Sequence, residues 1–123
     1  MIKQETCGNR STEFSAWIRN NLPDSNTGFV VADQDWVLWN YKTRKLMLLE
    51  EKTRNGKIAE WFYKFIREVM HPALAIYSRS HGIDYRGYHL LVFEKTNPED
   101  GKIFLDRKEI TATKLRTFLA MEQ

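Results

Sequence analysis

The chain has 123 residues, 42% of them hydrophobic and 13% aromatic, with a formal net charge of +3. That composition buries a core, so it excludes a disordered or low-complexity polypeptide. A single cysteine, Cys7, excludes an internal disulfide and a cysteine-based zinc site.

The mild basic excess permits nucleic-acid binding without demanding it. No apolar run reaches the length of a membrane span and the N-terminus has no signal-peptide core; the lone cysteine is consistent with a reducing cytoplasm, the expected location. Residues 1–10 read as a flexible arm, and residues 11–123 read as a single domain. Ser11 or Thr12 is placed to cap a helix carrying Phe14, Trp17 and Ile18 on one stripe and ending near Pro23. Glu13 falls in its first turn, where a carboxylate favours the helix dipole. Residues 24–28 form a turn-rich loop, and Phe29–Ala32 is expected as a first short strand.

The stretch from Asp33 to Lys52 organises the rest. Asp33–Asn40 is β-branched and aromatic, Leu46–Leu49 is an apolar run, and Tyr41–Lys45 between them is polar and of hairpin length. Alternation along a strand puts Glu50 and Lys52 on one face with Leu46 and Leu48. In an antiparallel hairpin the start of the first strand lies beside the end of the second, which brings Asp35 next to Glu50 and Lys52. Two carboxylates suit a hard cation that keeps waters and takes phosphate oxygens as further ligands. The lysine supplies a charge that orients water and stabilises a developing anion. Asp33 reads as a hydrogen-bonding support for Asp35, with a second ligand and a solvated strand-end residue as the alternatives. Trp36 and Trp39 fall on opposite strand faces, and one of them is expected in the core.

Glu13 on a helix, Asp35 at a strand start, and Glu50-Glu51-Lys52 at the end of the next strand with a helix after it resemble the PD-(D/E)XK nuclease superfamily over residues 11–70. The resemblance implies an α/β fold: a mixed, partly antiparallel sheet flanked by helices, built on a restriction-endonuclease-like α-β-β-β-α-β core. It also implies Mg²⁺- or Mn²⁺-dependent cleavage of DNA, less often RNA. Carried over, Asp35 and Glu50 become metal ligands, Lys52 the catalytic lysine, and Glu13 the accessory acid of the first helix. Small members of the family often act as homodimers. Two positions depart from the family pattern: no proline precedes Asp35, and Glu51 stands where an apolar residue is usual.

Arg54 and Lys57, just after the triplet, are candidates for contacts to phosphates flanking the cut bond. Lys42 and Arg44 in the hairpin connection are further candidates, with a solubilising turn as the alternative. Lys57–Met70 carries an unbroken apolar stripe and is expected to be a core helix that Pro72 ends or kinks. Residues 73–80 extend it as a second helical segment. Residues 81–87 read as a loop, Tyr88–Lys95 as a strand covered on both faces, and Lys102–Leu105 as its antiparallel partner. A tight turn at 106–108 precedes a last helix with Leu115, Phe118 and Leu119 turned inward. His71, His89 and His81 match no metal-ligand spacing and read as structural. Besides a nuclease, a nucleic-acid-binding module without hydrolytic activity and a protein-interaction domain remain open.

Overall fold

The structure, a computed structural model, describes residues 13–32 and 34–122. The expected arm over residues 1–10, the capping residues Ser11 and Thr12, and Asp33 lie outside the described residues. The chain divides into two compact units, Met1–Asp33 and Gln34–Gln123.

In the first unit, α1 spans Glu13–Asn21 and buries Ser15 and Ile18. Phe14 and Trp17 stack with ring centroids 6.3 Å apart but remain exposed. A single 3-10 turn, Ser25–Thr27, is closed by Gly28 at a φ of 94°, a conformation that suits glycine. Residues 29–32 form no strand beyond an isolated bridge at Val31, contrary to expectation. The α-β-β-β-α-β order therefore lacks its first strand among the described residues.

The second unit is a five-stranded mixed sheet in the order β1-β2-β3-β4-β5. Strands β1 (Trp36–Asn40) and β2 (Lys45–Lys52) form the expected antiparallel hairpin. In its connection the Asn40 side chain accepts from the backbone N–H groups of Lys42 and Thr43, at 3.0 and 3.1 Å. Strand β2 then pairs in parallel with β3 (Asp84–Phe93), and β4 (Ile103–Leu105) and β5 (Lys108–Ile110) follow antiparallel. Residues Asp106 and Arg107, both at positive φ, make the two-residue turn between β4 and β5. The sequence reading placed a loop at 84–87 and missed β5. Strand β3 begins earlier because its first residues find partners on β2 that a local pattern cannot show.

The connection from β2 to β3 is one helical run: α2 (Glu60–Phe65), a π turn (Ile66–Met70) and α3 (His71–Ser80). Pro72 neither ends nor visibly interrupts it. The π turn widens the ladder just ahead of the proline, so that His71 N–H donates to the Ile66 carbonyl five residues back. Phe62 and Ile66 are buried; beyond them the extra residue changes the phase and Val69 is exposed, while Phe65, just ahead of the π turn, is exposed as well. Helix α4 (Ala112–Ala120) is capped by Thr111, whose side chain accepts from Lys114 N–H at 3.2 Å.

Each face of the sheet has its own cover. Met47 and Leu49 of β2, Leu91 and Phe93 of β3 and Ile103 of β4 make one core with Leu115 and Met121. Lys45 Nζ donates to the Met121 carbonyl at 2.7 Å, placing a cation at the C-terminus of α4. The opposite face carries Leu46, Leu48, Glu50 and Lys52, and α3 packs there against β3. A bulge at residues 86–87 brings Tyr85 opposite Leu46 and Tyr88 opposite Leu48, so both tyrosines share that second face although three residues apart. Gly87 permits this with a φ of 101°, and a Cβ there would lie 2.8 Å from His89 Nε2.

Strand β1 is an edge. Trp36 and Trp39 do fall on opposite faces, but both are exposed, and neither reaches the core as expected; Leu38 packs there instead.

Candidate functional site

Pairing of β1 with β2 runs in register from Asn40↔Lys45 to Trp36↔Leu49. Continued one step, it sets Asp35 across from Glu50, and residues directly opposite share a face. Asp35 is fixed there because its Oδ2 accepts from Glu51 N–H at 2.9 Å. Two places along β2, Lys52 Nζ lies 3.8 Å from Glu50 Oε2. Glu50 itself is only 2% exposed, at the end of a strand whose preceding residues Met47, Leu48 and Leu49 are all buried. Burial of a carboxylate is costly unless a cation or hydrogen bonds accompany it, and the Lys52 ammonium supplies such a charge. Asp35, Glu50 and Lys52 are thus brought to one end of the sheet, on one face.

Glu51 points the other way. Its Oε1 accepts from Trp36 Nε1 at 2.7 Å, on the partly open edge of the sheet. This explains a charged residue in the middle of the triplet: the position is not sealed under a helix but rests beside an exposed indole.

Glu13 belongs to the separate N-terminal unit, where it is exposed in the first turn of α1. Lys42 and Arg44 sit at the other end of the hairpin, roughly 20 Å from Lys52 at the rise of an eight-residue strand. Arg44 is engaged there as a clamp: Nε donates to the Gly82 carbonyl and a terminal nitrogen to the His81 carbonyl, both at 3.2 Å. Its guanidinium also lies over the Trp39 ring, 5.7 Å from the centroid. These two cations are therefore not brought together with the carboxylates.

Arg54 and Lys57 are exposed and follow Lys52 directly. The loop holding them is anchored by Arg54 N–H to the Lys95 carbonyl (2.8 Å) and Asn55 N–H to the Phe93 carbonyl (3.0 Å).

Two further polar residues belong to this neighbourhood, and the sequence reading passed over them. Gln34 donates through Nε2 to the carbonyls of Trp36 and Leu49, both at 3.0 Å, which orients its Oε1 as an acceptor. Tyr88 then donates its hydroxyl proton to that oxygen at 2.7 Å. Burial, reinforced by the nearby charges of Glu50 and Asp35, pushes the Tyr88 phenol well above its usual value, so it stays neutral. With its proton committed to Gln34, its remaining lone pairs are acceptors only. Only a glutamine directly before Asp35 could have hinted at this link. The partner lies 54 residues on.

Beside Glu50, on the same face, a cavity of about 390 Å³ opens between β3, the helical run and the β4–β5 turn. Tyr63, Arg67, His71, Tyr88, Asp106 and Arg107 are among its lining residues. His71 Nδ1 is 3.0 Å from the Tyr85 hydroxyl, and burial raises that phenol to about 12. His89 is bound at both ring nitrogens, to Asp106 Oδ2 at 2.6 Å and to the Arg86 carbonyl at 2.7 Å. Only the imidazolium donates to both. Burial alone would pull the His89 imidazole down, but the bonds to Asp106 and Arg86 outweigh it and hold it above its usual value. Both histidines thus have structural partners.

The donor set at the sheet end is oxygen only. Among the described residues, no three or more His, Cys, Asp and Glu side chains are grouped to hold a metal ion. Two carboxylates are the set that suits Mg²⁺ or Mn²⁺, which complete their coordination with waters and phosphate. They do not suit zinc, which takes three or four protein ligands. Among the described residues no helix is long and apolar enough to cross a membrane. No family model, curated protein or solved structure matches the chain.

Proposed function

We propose that this protein is a metal-dependent endonuclease of the PD-(D/E)XK type, hydrolysing phosphodiester bonds of DNA. The observation that carries the reading is the convergence of Asp35, Glu50 and Lys52 on one face at one sheet end, with Lys52 Nζ 3.8 Å from the buried Glu50 carboxylate. The parallel pairing of β2 with β3 through a helical crossover supports the restriction-endonuclease-like core, of which the described residues hold no first strand.

In this mechanism Asp35 and Glu50 hold the ion, and Asp35 is kept in place by the Glu51 amide. A bound Mg²⁺ or Mn²⁺ supplies Lewis acidity toward the phosphoryl oxygen and a more acidic water. Lys52 orients the attacking water and stabilises charge on the phosphorane-like transition state. Tyr88, held neutral, accepts a hydrogen bond from water in the site. Arg54 and Lys57 contact backbone phosphates next to the cut bond. A single site cuts one strand, so cutting both strands implies a homodimer.

The second reading is a nucleic-acid-binding module without hydrolysis. It is favoured by the same Lys52–Glu50 contact, since an ammonium that neutralises a buried carboxylate is also an ordinary structural pair.

The deciding experiment is incubation with supercoiled, single-stranded and branched DNA, with Mg²⁺, Mn²⁺ or a chelator. Nicking that requires the metal and disappears in Asp35→Asn and Glu50→Gln is the expected result. Binding without cleavage under every metal condition would favour the second reading.

A further inference from the structure

The cavity beside Glu50 is lined by two acids, each engaged by partners other than arginine, and by two arginines. Glu50 has Lys52 at 3.8 Å. Asp106 uses one oxygen for His89 and the other for the Leu90 amide at 2.9 Å. That leaves Arg67 and Arg107. Both are exposed, and among the described residues neither has a carboxylate within ion-pair distance.

Both guanidiniums gather on the same ring. The Arg67 guanidinium carbon lies 5.6 Å from the centroid of Tyr63, and that of Arg107 lies 5.1 Å from it. Tyr63 and Arg67 are one helical turn apart, and Arg67 also donates to the Tyr63 hydroxyl at 3.2 Å. Arg107 comes from a different element. It sits at a φ of 71° in the two-residue β4–β5 turn, a left-handed conformation that an arginine rarely takes. Two cations from separate elements thus border one ring, and among the described residues no carboxylate neutralises either of them. A guanidinium laid over a ring leaves in-plane N–H donors for oxygen acceptors, the geometry that suits phosphate.

We infer that Arg67 and Arg107, gathered on Tyr63, form a clamp for the sugar-phosphate backbone of a nucleic-acid strand passing the cavity beside Glu50. The exposed position of both guanidiniums at the cavity mouth fits a strand that continues past the site. A free phosphate would be held by an enclosed nest of backbone amides instead. The clamp rests on the nucleic-acid reading of the Asp35–Glu50–Lys52 site and adds a phosphate-binding surface to it, on residues separate from Arg54 and Lys57.

The test is anisotropy of labelled single-stranded DNA, duplex DNA and RNA of matched length, in chelator and over a salt series. The Arg67→Gln/Arg107→Gln pair is expected to weaken binding alike for unrelated sequences and to lower the log–log salt slope by about 2. The Arg67→Lys/Arg107→Lys pair should recover most of the slope. Thermal unfolding shows whether the Gln pair folds; if it does not, each single Gln variant should lower the slope by about 1. An unchanged slope overturns the clamp, as does a mononucleotide competing as well as a strand, or the absence of any binding to DNA or RNA. Cleavage is scored in parallel. A lowered slope with no cleavage by the unaltered protein leaves the clamp and removes the nuclease. Cleavage with an unchanged slope does the reverse.

Discussion

Tyr88 gives its only hydroxyl proton to Gln34, a residue held in turn by the carbonyls of Trp36 and Leu49. The bond ties β3 to the segment that carries Asp35, across the whole of β2. A partly buried hydrogen bond of this kind contributes about 1 kcal/mol. Tyr88→Phe is expected to lower stability by about that amount in urea unfolding, and Gln34→Ala by more, because it also strips the bonds to the Trp36 and Leu49 carbonyls. The double variant should cost clearly less than both singles together. Additive losses would show that the bond does not couple the two strands.

Chemistry at the sheet end separates by residue. Lys52→Ala should reduce the cleavage rate about a hundredfold to a thousandfold. Asp35→Asn and Glu50→Gln should abolish cleavage and leave binding intact. Glu51→Ala should retain cleavage, because its side chain turns away toward Trp36. Single-turnover rates beside binding curves check this, and an inactive Glu51→Ala with an active Glu50→Gln would contradict the assignment.

The His89–Asp106 pair gives stability a definite pH profile. His89 is raised in the folded chain, so its contribution is complete below about 6.5, the unfolded value, and is lost as pH rises through the folded value. For Asp106, burial pushes the carboxyl up, but the bonds from His89 and Leu90 pull it down further, to below its usual value. Its contribution is present above about 3.9 and is lost as pH falls through the depressed value. The pair therefore stabilises most between about pH 4 and 6.5. Urea midpoints measured across pH should decline above that window, and His89→Gln should flatten the decline.

Gly87→Ala meets two obstacles at once: a positive φ and a Cβ pressed against the His89 ring. The expected loss is about 2 to 3 kcal/mol. The same change at Gly82, where φ is 67° and nothing stands within 4 Å, meets the backbone cost alone and should lose less. Thermal midpoints of the two variants make the comparison.

The β1–β2 hairpin was legible because its signals are local: a β-branched and aromatic stretch, an apolar run, and a polar connection of hairpin length between them. From it the juxtaposition of Asp35, Glu50 and Lys52 followed by register alone. Tyr88 and Gln34 were not legible, because a bulge breaks the two-residue period of β3 and no local pattern announces a bond over 54 residues. In the sequence Arg67 falls on the helix face opposite the apolar stripe, and Arg107 in the tight turn at 106–108. Their meeting on Tyr63 depends on how β4–β5 folds back toward the helical run. The stripe from Ile58 to Met70 gave the helix but not its phase, since one π turn shifts which side chains face the sheet.

That π turn also divides the helical run into two cooperative units. His71 N–H goes to Ile66, and position 72 offers no N–H, so the Arg67 carbonyl loses the donors that would continue the ladder across the join. Opening can then stop at the join. Amide exchange should report separate protection for α2 and α3, with α3 slower because its first residue is fastened to Tyr85 of β3. Residues Tyr63 and Arg67 would breathe with the earlier unit, and the cavity wall they form would loosen without unpacking α3 from the sheet.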